Sequence, residues 1–509
     1  MPTYSNPGVY VTESPLVSNV ARANNAQAVA TFVGTAPRGP LTPTLINSWS
    51  SFKSVFGDIS IEHEMGYSVY HYFANGGRDA YILRVLRTSG DGSPAVKATS
   101  TVAYYPNGTG SASAGLLVAT SSSEGAWGND LSIVTSPGVV LATASVVPTF
   151  NLSVRLSGVE VERWNEVSTD PTNNRYVETV VNTYSKYITV AIESGITAGA
   201  EWAFSSDSFA LGSGSDGDPV EATHYVSALT NLDTVEGVLL LNAPGQTSSA
   251  VVNALLAKAE ERGNSFVIID PTTSTDTTTI GAGTVGGYTA SSYGAVYYPM
   301  LKMVDPTKTG PGAIRDTYPG GAIAGIYVRT DFTRSVAKSP AGYAAEVRNA
   351  LGLTGTFTSS DSALLYDNFG VNIFKAVPGA GIVVNGARTL DRTSPGKYIT
   401  IRRSLNFLKQ TLKDSTSFAV FEPNDDRLWT RLNMTASAIL SEFWRAGGLK
   451  GANASEAFYV ICDETNNTAL TVNNGEVRME VGVALQYPAE FVVINISQWT
   501  GGSNTASTL

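Results

Sequence analysis

Two glycine patterns have the spacing that could cradle a phosphate, Gly212/Gly214/Gly217 and Gly281/Gly283/Gly286. Glycines of a G-x-G-x-x-G turn let the backbone approach a pyrophosphate at a helix N-terminus. The first match runs into a helical stretch and has Asp233 about twenty residues on. That aspartate precedes its strand, whereas a ribose-binding acid belongs at a strand's C-terminal end. With 49 glycines in the chain, the pattern alone decides nothing. Ser335-Val-Ala-Lys338 and Lys308-Thr-Gly310 have the composition of elements in acylating serine enzymes, but in the reverse chain order. G-x-x-x-x-G-K-[ST] and G-x-S-x-G are absent. Cys462 stands alone and His63, His71 and His224 are scattered, so neither a disulfide framework nor a Cys/His metal site is expected. The expectation is no enzyme, no cofactor and no metal. The rival reading is an α/β enzyme holding a small ligand between Ala243 and Ser249, although Asn242-Ala-Pro-Gly245 has the composition of a turn.

Charge gives a stronger signal. Ile401, Leu405, Leu408 and Leu412 recur as one helical stripe, and Arg402, Asn406, Lys409 and Lys413 repeat the spacing one residue later. One face is for a core, and the other is free for a partner. A solvated helix face would show the same lysines near its C-terminal end. The setting argues for a partner: residues 388–450 carry eleven Lys and Arg against six acids, +5 in a chain of net charge −10. Arg402, Arg403, Lys409 and Lys413, with Arg427 and Arg431 on the next helix, form the candidate basic surface. Its partner should be acidic.

The rest of the chain must position that module. Its 509 residues exceed one core, and 43% hydrophobic content supports several domains. Charged residues are only 15%, a surface poor in mutual repulsion that favours assembly. The acidic total argues against direct nucleic-acid binding. The start, MPTYSNPGVYVTE, has neither a basic nor an apolar leader region, and no apolar run reaches the length of a membrane span. Synthesis in the cytoplasm without membrane insertion is expected.

The expected fold is multidomain, α/β and β. Residues 1–27 are an N-terminal arm whose short strand Val9, Tyr10, Val11, Thr12 has no hairpin partner. Residues 28–95 and 215–350 alternate strands with helices, a discontinuous α/β domain with a mainly parallel sheet. Its strands include Val29–Gly34, Ala80–Leu86, Val235–Asn242, Phe266–Asp270 and a single strand Ala295–Val304. Between them, 96–214 reads as an outward β insertion, a sandwich or small barrel almost without helical periodicity, with Arg175–Val181 as one of its strands. The stretches 272–294 and 305–322 are irregular. Residues 351–487 form an α+β C-terminal domain, and 488–509 a terminal arm. There Phe491, Val492, Val493 and Ile494, followed by Ile496, are apolar on both faces and need cover on both sides.

Many segments together resemble the contractile tail sheath proteins of bacteriophages and related contractile injection systems. They include PGVYVTE (Pro7–Glu13), FVGTAPRGP (Phe32–Pro40), NGGRDAYILRV (Asn75–Val85), WGNDL (Trp127–Leu131) and LGSGSDG (Leu211–Gly217). The series continues with AGIYVRTD (Ala324–Asp331), FGVNIFKAVPGAGIVVNGARTL (Phe369–Leu390), KYITIRRSLNFLKQTL (Lys397–Leu412), FEPNDDRLW (Phe421–Trp429), FYVICDETNN (Phe458–Asn467) and PAEFVVINISQ (Pro488–Gln498). The resemblance implies hexameric rings stacked around a tail tube, and contraction that drives the tube through a bacterial envelope. It implies neighbouring copies, tail tube protein, baseplate and tail terminator proteins as partners, and location in the virion tail. A bacteriocin or injection particle is the alternative setting. It also implies that strands 9–12 and 491–496 pass to neighbouring subunits, and it suggests that the basic surface faces the tube.

Overall fold

A computed structural model describes residues 28–88, 92–106, 113–139, 147–193, 202–203, 206–355, 357–393 and 396–490. The chain opens with β1 (Val29–Gly34), β2 (Thr44–Ile46), α1 (Trp49–Phe56), α2 (Glu64–Ala74) and β3 (Ala80–Arg84). An insertion follows with β4 (Thr99–Pro106), β5 (Ser113–Ser121), β6 (Leu131–Pro137), β7 (Thr149–Leu156) and β8 (Val159–Ser168). It ends with α3 (Val177–Tyr184), β9 (Ile188–Ile192), β10 (Trp202–Ala203) and β11 (Asp207–Ala210). The α/β rhythm resumes in α4 (Ala222–Ala228), β12 (Leu239–Asn242), α5 (Ser249–Arg262), β13 (Phe266–Ile269) and β14 (Gly294–Tyr298). Then come β15 (Leu301–Val304), β16 (Ile314–Thr317), α6 (Gly320–Thr333), β17 (Ala350–Leu353), α7 (Ser359–Phe369), β18 (Val371–Val377) and β19 (Gly381–Asn385). The last module holds α8 (Ile399–Ser415), α9 (Asp426–Arg445), α10 (Ala454–Ala457), β20 (Phe458–Ile461), α11 (Ala469–Asn473) and β21 (Glu480–Val483).

Eight strands form the central sheet in the order β19-β18-β14-β13-β12-β1-β3-β2. Every pairing from β18 to β3 is parallel, and an antiparallel strand closes each edge. Parallel strands are buried on both faces, which accounts for the continuous apolar runs of β12, β13 and β14. One face packs under α1, α2 and α6, the other under α4, α5 and α7. Because β18 and β19 belong to this sheet, the expected domain boundary at 351 is too early. The expected strand Ala295–Val304 is two strands: Pro299 has no N–H to offer a ladder, and β15 joins a separate sheet with β16 and β17.

The insertion is two four-stranded sheets, β10-β4-β5-β9 and β11-β6-β7-β8, around one core that includes Val102, Leu117, Ile133, Leu152 and Val154. It is a sandwich and not a barrel. Its entry and exit segments are bonded together, Val96 N to Ser215 O at 2.9 Å and Thr99 N to Gly212 O at 2.9 Å. The expected strand Arg175–Val181 is instead helix α3. Val177 and Val181, four apart, are both fully buried there, so packing overrides the β preference of a valine-rich run. Asn182 then fixes the helix to β9 by donating to Val190 O (2.9 Å) and accepting from Val190 N (2.7 Å).

Helix α6 lies in a stretch that sequence pattern left irregular at its start. Residues 320–328 are buried all round, so no amphipathic period marks it. Gly321 and Gly325 let its backbone lie against α2: a Cβ on Gly321 would stand 2.0 Å from Ser68 O, and one on Gly325 2.5 Å from Tyr72 O. Beside this contact, His71 of α2 is fully buried, and neither ring nitrogen has a hydrogen-bond partner among the described residues. Burial, aided by the charge of Arg315, lowers its pKa to about 4.

Gly321→Ala should cost about 1–3 kcal/mol through forced separation of α2 and α6. A lower thermal midpoint checks this, and an unchanged one would contradict so close a contact. Between pH 6.5, the ordinary histidine value, and pH about 4, the unfolded chain takes up a proton at His71 that the folded chain refuses. Stability contributed by this site therefore falls as pH drops through that window. In urea titrations, the stability difference between wild type and His71→Phe should shift in favour of the variant on going from pH 7 to pH 5.

Candidate assembly interface

Helix α8 is amphipathic as its sequence indicates, and Leu408 and Leu412 pack with Ala436, Leu440 and Phe443 of α9. The rings of Phe407 and Phe443 stack at 6.1 Å. The polar face of α8, however, is not free. Arg402 donates to Ser292 Oγ (2.9 Å) and to the Tyr293 hydroxyl (3.1 Å), its guanidinium lying 4.2 Å from the Tyr293 ring centre. Arg403 is 3% exposed and forms a two-pronged ion pair with Asp331 of α6. It lies 4.5 Å from the Tyr327 ring, whose hydroxyl bonds that of Tyr297 at 2.5 Å. Burial alone would lower the Arg403 pKa, but Asp331 and the two tyrosines outweigh it and leave it raised.

One and two turns further on, Asn406 donates to Ser265 O (2.7 Å) and Gln410 accepts from Asn264 (2.8 Å). Lys409 is half-buried close to Gly263 at the end of α5. The reading of α8 as one core face and one free face is therefore corrected. Its second face is docked on the central domain, because its arginines and amides meet polar groups there. Arg402 and Arg403 join domains and do not form an open basic surface.

The open surface is on α9. Asp425 caps this helix, accepting from Arg427 N (3.1 Å) and Leu428 N (3.0 Å). Leu428, Leu432, Leu440 and Phe443 are buried, while Arg427, Arg431 and Met434 are exposed at i, i+4 and i+7. Arg431 lies 4.1 Å from the Phe418 ring. Lys413 is exposed near the end of α8. Two apolar residues accompany these cations and escaped sequence reasoning: Met434 is 67% exposed, and Phe421, in the α8–α9 connection, is 88% exposed. Phe421 has φ +69°, a left-handed conformation rare for an aromatic residue. Nothing in its sequence context distinguishes it from a core aromatic.

Against α9 the described residues form a sheet of two four-residue strands, β20 and β21, paired antiparallel from Phe458↔Val483 to Ile461↔Glu480. Among the described residues one bridge, Leu449↔Leu485, extends it. The candidate exchange strands Val9–Thr12 and Phe491–Ile496 lie outside the described residues.

The sites considered for small-molecule chemistry are taken up by the chain itself. Asp270, at the end of β13, is 1% exposed and accepts from Gly320 N (2.7 Å), Gly245 N (3.0 Å) and Asn242 Nδ2 (3.4 Å). Burial outweighs these bonds and raises its pKa to about 6. Both glycine matches are packing and turn features. A Cβ at Gly214 would meet Gly125 O at 2.7 Å, Gly217 has φ +72°, and a Cβ at Gly281 would meet the Phe369 ring at 2.5 Å. Among the described residues no His, Cys, Asp and Glu cluster could hold a metal, and no helix is long and apolar enough to cross a membrane.

Comparison with known proteins gives a consistent family. Residues 218–390 match the phage tail sheath protein central domain, and residues 391–498 match the phage tail sheath C-terminal domain. The junction falls after β19, where the central sheet ends. The tail sheath protein of Vibrio phage KVP40 is 27% identical over 177 residues, 34% of this chain and 25% of that protein. The tail sheath protein of Enterobacteria phage T4 is 31% identical over 159 residues, 30% of this chain and 23% of that protein. The matched segments thus span about a quarter of those relatives. A sheath tail protein from Listeria innocua shares the fold with TM-score 0.62 and 14% identity, over 87% of this chain and 90% of that one. The sheath of an extracellular contractile injection system in its contracted state does so with TM-score 0.59 and 19% identity, over 98% and 99%. With both sheath domains matched in order across more than half of its length, the chain belongs to the contractile tail sheath protein family.

Proposed function

We propose that this protein is a non-enzymatic structural subunit of a phage tail sheath, located in the virion, that polymerises as stacked hexameric rings around a tail tube. Contraction of the polymer drives the tube through the bacterial envelope. Its partners are neighbouring copies, the tail tube protein, and baseplate and terminator proteins at the two ends. A bacteriocin or injection particle would use the same subunit in the same way.

The observation that carries this reading is that, among the described residues, β20 and β21 form a sheet of two strands. Two strands of four residues are marginal alone and gain stability by accepting further strands. Val9–Thr12 and Phe491–Ile496 are β-favouring segments of the same chain whose flanking sequence offers no hairpin partner. Supplied by neighbouring copies, they complete the sheet by main-chain hydrogen bonding, a linkage that persists while subunits rotate against one another.

The tube-facing surface is the outer stripe of α9, with Arg427, Arg431 and Met434, joined by Lys413 and Phe421. Exposed ion pairs of about 0.2–1 kcal/mol each hold the extended sheath and release under load.

Removal of residues 1–13, or of 491–498, should abolish tubes and rings in electron micrographs of the purified protein while the monomer stays folded. Polymers from both truncated chains would contradict strand exchange. Arg427→Glu with Arg431→Glu should lower sheath loading on tubes about tenfold, more at low salt than at high salt, and leave tube-free polymers intact. Arg403→Glu should instead give misfolded protein, since it places a carboxylate against buried Asp331.

A further inference from the structure

The C-terminal arm has a built root, and its key residue is Glu490. The chain leaves the C-terminal module after Leu485, which bridges Leu449, and Tyr487 then packs edge-on against Tyr398 at 5.7 Å. Three residues on, the Glu490 carboxylate receives three donors: Arg388 Nε at 3.2 Å, Arg388 NH2 at 2.9 Å and the Tyr366 hydroxyl at 2.5 Å. Both ion-pair side chains are 12% exposed.

Arg388 also donates from NH1 to Asp367 Oδ1 (2.7 Å) and Tyr366 O (3.3 Å), and its guanidinium lies 3.9 Å from the Tyr366 ring centre. Its backbone is held in turn by Asn372 of β18, which is fully buried. Arg388 N donates to Asn372 Oδ1 (2.7 Å), and Asn372 Nδ2 donates to Arg388 O (2.8 Å) and to Val296 O of β14 (3.1 Å). A continuous chain of bonds thus runs from Glu490 into the middle of the central sheet. A bidentate arginine–carboxylate pair fixes direction as well as position, which a lysine cannot do.

We propose that Glu490 and Arg388, with Tyr366, anchor the C-terminal arm to the central domain and set the direction in which residues 491–498 leave the subunit. This rests on the strand-exchange reading and adds where the tension goes. Force on an exchanged arm passes through Glu490 into β18 and the eight-stranded sheet and does not peel β21 from β20. The pair is a positioning device for exchange.

The test uses the full chain with Glu490→Gln, which keeps shape and loses charge, and Arg388→Lys, which keeps charge and loses the fork. Monomer thermal midpoint, hydrogen exchange across 486–498 and the critical concentration for polymerisation are measured together. The expected result is a midpoint close to wild type, faster exchange confined to this segment, and a critical concentration raised about tenfold. Wild-type polymerisation by both variants would overturn the anchor. The chain lacking 491–498 separates the two ideas. If it fails to polymerise while the point variants behave as wild type, only the anchor is wrong. If it polymerises normally, strand exchange is wrong and the anchor falls with it.

Discussion

The buried ion pair between Arg403 and Asp331 is the contact on which the arrangement of the two matched domains depends. A guanidinium 3% exposed against the Tyr327 ring has no water to return to, so losing its carboxylate would strand a buried charge at a cost of about 3–5 kcal/mol. The exposed cations of α9 operate at about 0.2–1 kcal/mol each. That difference in scale separates what must stay together from what can let go. Arg402, Asn406 and Gln410 extend the junction along α8, so the helix belongs to the C-terminal module by its apolar side and to the central domain by its polar side. The two matched domains are thereby held together within one subunit.

Much of the fold was legible because parallel strands buried on both faces announce themselves as apolar runs. Val29–Gly34 has the bounds expected of it, and Phe266–Ile269 falls within one residue of them. The same burial hides helices: α6 has no polar face from 320 to 328, and two of its glycines are there for contact with α2. In α3, a run rich in valine became helical because Val177 and Val181 reach the sandwich core together. Pattern reports which side chains are apolar, and the assignment fails where the surrounding packing decides what an apolar run becomes.

The basic stripe fails for a related reason. Spacing shows that Arg402, Lys409 and Lys413 share a side of α8, but it does not show whether water or protein lies opposite. Amides beside those cations are suited to polar protein groups: Asn406 donates to Ser265 O, and Gln410 accepts from the side-chain amide of Asn264. On α9 the one amide, Asn433, donates to Val460 O (3.1 Å), while Arg427, Arg431 and Met434 lie on an exposed stripe with no amide among them. Helical charge alone is ambiguous, and the residue types interleaved with it carry the distinction.

Fold and activity also part company at the sheet's crevice. Strand order reverses between β1 and β12, and in open α/β sheets such a switch point is where ligands bind, outside the carboxyl ends of the strands. The donors that would face an anionic ligand there are backbone N–H groups at a helix start and a tight turn. Here Gly320 N at the start of α6 and Gly245 N in the turn after β12 both point at Asp270, a carboxylate supplied by the chain. A Cβ at Gly320 would stand 2.7 Å from that carboxylate and 2.3 Å from Asn242, so nothing separates helix from acid. That carboxylate fixes the start of α6. Because α6 also carries Asp331, the same helix that closes the crevice holds Arg403 and with it the C-terminal module. An architecture that elsewhere binds substrates is here used as a bracket.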